Sequence, residues 1–489
     1  MKLLRKIPFF LFLLALFFCL HGWVENYGFI SYKELLMPGL QIFGSILLFT
    51  AVVFLFTRNL LSASLISFFI GLWYLFFGAI HDGVKALPFL FFIKSYTAML
   101  IMLSIASIVW IVFIRRKKNM HQKLVFYLNL LLLIYCVVDA GLLLKDKWLQ
   151  PPLAATEHVN FNAAKVAKKP DVFFLLFDGY PGFASLQDSF NFSNDGLHKY
   201  LDANSFKVLP VFANYDHTYF CMASMFNMEY VKNDFNNMQV TQRDFQKRGV
   251  DINHGAIFPL FKSMGYNVEN LSIFEVDDKP AQTVASPFLL AHSILLTDKI
   301  LHNRIKRDIG DRLGKFIPFW KNQDFYQTDT DNKMTEKRLL VSAATKAITP
   351  EFVYAHFLMP HGPYFYDSSG DKNPYEKISN YTTWRDKELF ISYLGYVNKK
   401  LINMVDTIVS HNPDAIVVVM GDHGFRSFEG DEIVKNQRYD NLCAVRFPDS
   451  SYAQTRSRWS TVNFFRYVLN SQFGQKIPFL ADSTIALNF

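Results

Sequence analysis

Cysteine is scarce: the chain has four in 489 residues, with no CxxC spacing. Cys19 and Cys136 fall in apolar runs, leaving Cys221 and Cys443 in the polar part. A disulfide framework and a thiolate zinc site are thereby excluded, while one long-range disulfide stays open. Charge is also sparse, at 19 % of residues, against a hydrophobic content of 51 %, which excludes disorder. There is no internal repeat and no low-complexity tract. Acidic residues fall short of basic ones, 42 against 50, and the pI near 9.0 taken alone would suit a nucleic-acid binder. The excess is local, however. Residues 1–150 hold 14 Lys/Arg and 5 Asp/Glu, whereas the rest hold 36 and 37. The larger part is neutral, and a nucleic-acid partner is excluded.

Phenylalanine, by contrast, is abundant at 51 residues, and long apolar runs crowd the N-terminal third. Five runs are read at roughly 7–24, 36–57, 60–80, 96–114 and 124–144. Each is about the length a helix needs to cross a hydrocarbon layer about 30 Å thick. The first follows Lys2, Arg5 and Lys6 but lacks a small-residue cleavage site, so an uncleaved anchor is expected rather than a signal peptide. Arg58 and the group Arg115, Arg116, Lys117, Lys118 and Lys123 occupy the inner turns. Outer loops carry sparse, mixed charge. This bias, with an odd number of spans, puts everything after residue 145 outside the cytoplasm, in an integral inner or plasma membrane protein. His21 and Asp139 are polar groups within the apolar runs, and interfacial placement is expected for both.

Residues 145–170 lack apolar periodicity, contain Pro151 and Pro152, and read as a juxtamembrane linker. Beyond Pro170 short apolar runs appear at 171–177, 352–358 and 415–420, with weaker ones near 206–212 and 442–447. Helix-period segments lie between them, notably 255–264 and 386–410. The expected organisation is a five-helix transmembrane domain (1–144), the linker (145–170), and an outer α/β sandwich (171–489) around a largely parallel sheet.

In such sheets ligands gather beyond the carboxyl ends of the strands. The first apolar run ends in FDGY, placing Asp178 there, and the 415–420 run ends in GDHG, placing Asp422 and His423. The run at 352–358 opens into MPHGPY, with His361 in a Pro/Gly loop. In ANYDHTYFCMASMFNMEY, Thr218 falls at the start of a helix, where it is either a plain N-cap or an activated hydroxyl; Ser224 and Cys221 are lesser alternatives. Two carboxylates and an imidazole at one sheet edge suit a divalent cation, and a helix N-terminus suits phosphate or sulfate.

The order FDG, ANYxxTxxxxASxxNMEY, HxxxPHGPY, GDHGxR resembles the sulfatase-domain branch of the alkaline phosphatase superfamily. It is most similar to membrane-anchored phosphoethanolamine transferases and lipoteichoic-acid-synthase-like phosphoglycerol transferases. The resemblance covers about 170–475 and implies an alkaline-phosphatase-like (sulfatase-like) α/β/α sandwich. Asp178, Asp422 and His423 would bind one divalent metal, with Thr218 both ligand and nucleophile. His361 would meet the substrate anion or leaving group, with Arg426 and His356 in the same shell. Zn or Mn suits that ligand set best, with Mg or Ca as alternatives. The implied partners are the bilayer, a membrane lipid donor and an envelope glycan or lipid acceptor, joined by transfer of a phospho-substituent. A phosphodiesterase or sulfuric-ester hydrolase is the alternative, and a catalytically silent scaffold the third. The chain departs from true sulfatases, because Cys221 lacks the C-x-P-x-R setting and the first metal motif has one Asp where two are common.

Overall fold

The computed structural model describes residues 2–30, 32–87, 94–149, 161–231, 240–282, 293–314, 324–379, 384–426, 437–452 and 457–488. The chain forms two compact units. One comprises Met1–Gln150 with Ala285–Asp324, the other Pro151–Val284 with Phe325–Phe489.

In the N-terminal unit the apolar runs fold as helices Phe10–Glu25, Leu36–Thr57, Leu60–Leu75, Phe77–Ala86, Tyr96–Arg116 and His121–Leu149. Among the described residues three helices are long and apolar enough to cross a membrane, or four if Leu60–Leu75 and Phe77–Ala86 form one span bent by 59°. Five were expected. The first run yields only a 16-residue helix, about 24 Å at 1.5 Å per residue and short of a full hydrocarbon layer. The bend at Phe76 has a local cause. The Gly78 amide leaves the helical ladder and donates to Lys299 O at 2.7 Å. A Cβ on Gly78 would stand 2.9 Å from the Lys299 Cα, so only glycine permits that approach. His21 and Asp139 meet as a pair, Nδ1 to Oδ2 at 3.3 Å.

The described residues 293–314, read from sequence as part of the outer domain, pack with these helices instead. Their helices are Ser293–Thr297 and Leu301–Gly314. Leu296 and Ile300 join the core built by Phe10, Leu14 and Phe18. Arg304, with its side chain only 7 % exposed, bridges Asp82, Asp298 and Asp308. The reason lies in an apolar turn preceding a charged helix, a pattern that composition alone does not separate from an ordinary surface helix.

The second unit is built on a six-stranded mixed sheet. Its strands are β1 (Val172–Phe177), β2 (Lys207–Val208), β4 (Asn267–Leu271), β5 (Glu351–Phe357), β6 (Ile416–Gly421) and β7 (Cys443–Arg446), in the order β2-β7-β6-β1-β5-β4. β3 (Val211–Phe212) and β8 (Trp459–Ser460) form a separate parallel pair. β6, β1, β5 and β4 run parallel, while β7 is antiparallel to β6. Every residue of β1 is buried, as its unbroken apolar run requires. Alternate residues feed two cores. Phe174 and Leu176 pack on one face with the Thr218–Asn227 and Phe464–Gln472 helices, and Phe173 and Leu175 pack on the other with Gln327–Ala344 and Lys387–His411. Each fully buried Phe or Leu contributes about 1.5–3 kcal/mol. All four cysteines are free and buried, so the open disulfide is not formed. Of the linker, 150–160 lie outside the described residues. The preceding helix runs on to Leu149, and Phe161, Ala163 and Val166 pack on the second unit's core.

Register positions the site. Phe177 pairs with Phe357 on one side and Gly421 on the other, so β1 and β6 end level and the chain delivers Asp178 and Asp422 side by side.

Candidate metal centre

Asp178 and Asp422 each occupy the first position past a buried strand. Gly179, at φ +68°, turns the chain sharply after Asp178, and a Cβ there would stand 3.6 Å from the His423 ring. The Gly179 and His423 amides both donate to Asp422 Oδ1 at 2.9 Å. His423 donates from Nδ1 to Gly424 O at 2.7 Å, which fixes its tautomer and leaves the Nε2 lone pair facing the carboxylates. From Nε2 it is 3.7 Å to Asp178 Oδ1 and 3.5 Å to Asp422 Oδ2.

Thr218 is the first residue of the Thr218–Asn227 helix, whose N-cap is His217. The hydroxyl is therefore not a cap; its Oγ1 lies 3.5 Å from His423 Nε2. The lesser alternatives are removed. The Cys221 Sγ is fully buried against Tyr215 O, and the Ser224 Oγ donates to Glu229 O.

Electrostatics divide the two carboxyls. Burial, reinforced by the charge of Asp422, pushes Asp178 well above its ordinary value. Burial also opposes ionisation of Asp422. There the His423 and His356 imidazoles, the Gly179 amide and the Thr218 hydroxyl outweigh it and hold the group below its ordinary value. Burial drives His423 down to about 4, so its imidazole is neutral at neutral pH.

A divalent cation fits these residues. Asp178 Oδ1 and Asp422 Oδ2 are buried with no hydrogen-bond partner, a costly state for carboxylate oxygens. One ligand atom from each of Asp178, Asp422 and His423 lies within 4.8 Å of the others. Two oxygens and a neutral imidazole, with a hydroxyl alongside, make a mixed set that suits Zn²⁺ or Mn²⁺ and also admits harder cations.

His361 and Arg426 stand together. His361 donates from Nδ1 to Gly362 O at 2.8 Å, and Arg426 reaches its Nε2 at 3.5 Å. Both line, with Gly179 and His423, a small cavity of about 20 Å³. Burial and the Arg426 charge lower the His361 pKa, favouring neutral imidazole. His356 sits differently. It lies within β5, fully buried, with Nδ1 2.8 Å from the Tyr354 hydroxyl and Nε2 without a partner. Burial lowers it to about 4, against the opposing charge of Asp422. It is an internal neighbour of the candidate ligands Asp422 and His423 rather than an open substrate contact.

Two residues were missed by sequence. Asp216, buried beside Thr218, accepts from Arg438 at 2.9 Å and pairs with His217 Nδ1 at 2.9 Å, while its backbone carbonyl accepts from Arg426 at 3.1 Å. Asp216 was visible in ANYDHT but unremarkable there. Arg438 lies in a turn with no motif to flag it.

No family model and no curated relative matches the chain. Among the solved structures similar to it is the C-terminal periplasmic domain of EcEptC from Escherichia coli. That match is 12 % identical and covers 67 % of this chain and 87 % of that one, with a TM-score of 0.39. The C-terminal periplasmic domain of phosphoethanolamine transferase EptC from Campylobacter jejuni is 12 % identical, with 64 % and 92 % covered and a TM-score of 0.37. Phosphonate monoester hydrolase of Agrobacterium radiobacter is 12 % identical, with 63 % and 74 % covered and a TM-score of 0.37. Each is a remote likeness.

Proposed function

We propose that the protein is an integral-membrane, metal-dependent transferase of the sulfatase branch of the alkaline phosphatase superfamily. It moves a phospho-substituent, of the phosphoethanolamine or phosphoglycerol type, from a lipid donor to an envelope glycan or lipid. The N-terminal helices form five spans in this reading, with Phe10–Glu25 and the bent pair each counted as one, and the second unit faces away from the cytoplasm. The observation that carries the proposal is Thr218 Oγ1, at a helix N-terminus, 3.5 Å from the Nε2 of an imidazole that also faces two orphaned carboxylate oxygens.

Asp178, Asp422, His423 and Thr218 would hold one divalent cation. Bound there, it supplies positive charge against phosphoryl oxygens and eases loss of the Thr218 proton. Arg426 binds the anion and is itself oriented by Asp216 O. Thr218 Oγ1 attacks phosphorus, its bond to phosphorus forming as the bond to the lipid's glycerol oxygen breaks, and diacylglycerol leaves with the proton. An acceptor hydroxyl then attacks phosphorus, the Oγ1 bond breaks and Thr218 is restored. With Nδ1–H committed to Gly362 O, His361 presents Nε2 to take the acceptor's proton.

Intact-mass and peptide analysis after incubation with lipid donor tests this reading. An adduct on the Thr218 peptide, absent from Thr218→Ala, is the expected result, and an alanine variant with undiminished turnover overturns the nucleophile. Free phospho-alcohol or sulfate without a modified acceptor replaces transfer by hydrolysis.

A further inference from the structure

The Gln327–Ala344 helix has one buried face, and its two halves differ. Leu339 and Ala343 are apolar, as a packed face requires, whereas Asp329, Asn332 and Thr335 are polar and also buried. Burying a polar side chain costs free energy unless it is hydrogen-bonded. Asn332 holds Leu358, the residue that follows β5. The Leu358 amide donates to Asn332 Oδ1 at 2.8 Å, and Asn332 Nδ2 donates to Leu358 O at 3.4 Å. Register explains why a side chain is needed there. Backbone groups along β5 turn to alternate neighbours: Pro350 O accepts from Asn267 on the β4 side, and Phe357 O from Asp178 on the β1 side. Leu358 therefore faces the β4 side, but β4 ends at Leu271, opposite Ala355. A carboxamide carries the same donor and acceptor as a peptide group, and Asn332 stands in for the strand that has ended. Asp329 lies three residues earlier on the same helical face. Its Oδ2 accepts from the Tyr366 hydroxyl at 2.9 Å and from Lys333 Nζ at 2.8 Å. The helix thus grips the chain at Leu358 and again at Tyr366, and His361 stands in the stretch between.

We infer that Asn332, together with Asp329, is a positioning residue that aims His361 at the incoming acceptor hydroxyl. The inference rests on the part given to His361 in the transfer proposed above. A general base works only within about 2.6–3.2 Å of the atom whose proton it takes. A displacement of about 1 Å can cost on the order of 10²-fold in rate. His361 does not secure that distance by its own bond, because its Nδ1 donates to Gly362 O, a neighbour in the same loop. That bond turns the ring relative to the loop. Asn332 and Asp329 tie the loop to a helix packed on the sheet, and so place the ring relative to Thr218 and Arg426.

The test is steady-state turnover by full-length protein in nanodiscs, with fluorescent phosphatidylethanolamine or phosphatidylglycerol as donor and glycerol as the acceptor probe. Asn332→Ala is expected to lower kcat about 10–100-fold, the loss that misplacing a reacting group brings. Leu358 is half-buried, so water can meet its amide and carbonyl in that variant and the fold survives. Asn332→Asp keeps an acceptor for the Leu358 amide and is expected to recover most of the loss. Tyr366→Phe releases the other grip and is expected to lower kcat in the same direction. The decisive comparison is a cycle with His361→Ala. Once the imidazole is gone, adding Asn332→Ala should cost less than about twofold more, as for residues that act as one unit. Losses that add in full on the His361→Ala background, or an Asn332→Ala variant as fast as wild type, overturn the positioning role alone. A wild type that turns over neither lipid, or a His361→Ala variant as fast as wild type, overturns the transfer reading and this assignment with it.

Discussion

Gly179 donates its amide to Asp422 Oδ1 across 2.9 Å, so the turn after β1 is tied directly to the turn after β6. The two halves of the candidate centre, separated by more than two hundred residues of chain, are thus one hydrogen-bonded unit before any cation binds. The bond also consumes one Asp422 oxygen and leaves Oδ2 as the one available to a cation.

Removing metal from the wild type should expose the repulsion between Asp178 and Asp422. With its folded pKa raised, Asp178 binds its proton more tightly in the folded state. The contribution of Asp178 to the stability of the metal-free protein should therefore be fully present below the ordinary value of 3.8 and be lost as pH rises through the raised value. Asp178→Asn should abolish that decline and melt higher than wild type in chelator, yet gain nothing from added metal. Thermal melts at several pH values, with and without chelator, measure both effects.

Asp422→Asn should cost the centre its metal. Even changes behind a ligand typically weaken metal affinity about 10–100-fold, and loss of a ligand should exceed that. Elemental analysis of purified variant and wild type, after equal dialysis, provides the comparison.

Thr218→Ala should reduce lipid-donor turnover on the order of 10³-fold or more, as removal of a nucleophile does elsewhere. Metal content should fall much less than in Asp422→Asn, because three ligands remain. Measuring turnover and metal on the same preparation separates the two contributions of this residue.

Arg426→Ala should lower kcat/KM about 10–150-fold, the range of about 1.5–3 kcal/mol for a hydrogen bond to a charged group. Arg426→Lys should recover only part of this, since one ammonium cannot serve both Asp216 O and the substrate anion with Arg geometry. Steady-state kinetics with the lipid donor decides it.

Asp251→Ala should destabilise the second unit by about 3–5 kcal/mol, because Arg248 would be left buried without its counter-charge. The pair is 2.9 Å apart with side chains 1 % and 0 % exposed. A denaturant titration on the full chain reads the loss, and activity at low temperature should persist.

The site residues were legible because parallel strands buried on both faces leave unbroken apolar runs, and the first polar residue after each run marks the sheet's carboxyl edge. Asp178 and Asp422 were found in that way, and Thr218 from the pattern around it. β4 was not, since NVENL is an edge strand in which exposed Asn267, half-buried Glu269 and buried Asn270 break the apolar signal. Arg438 was hidden because its value lies in reaching Asp216, a contact made in space between distant residues. The His356 side chain was placed too far toward the substrate; a strand position one residue before the end points into the core, and only register shows it. The bend between Leu60–Leu75 and Phe77–Ala86 was not legible either. Nothing in the residues around Phe76 announces that Lys299 O will take the Gly78 amide.

That contact also sets an order of events during synthesis. The first 150 residues emerge and enter their surroundings well before Leu296, Lys299 and Arg304 exist. At about 5–20 residues per second, the wait for residue 324 is roughly 10–35 s. Through that interval Gly78 and Asp82 lack the partners that complete them, so the N-terminal unit starts first and finishes only after β1 through β4 have been made. A ribosome stalled between these points would hold the helices in an unfinished state, open to whatever lipid or chaperone reaches them first.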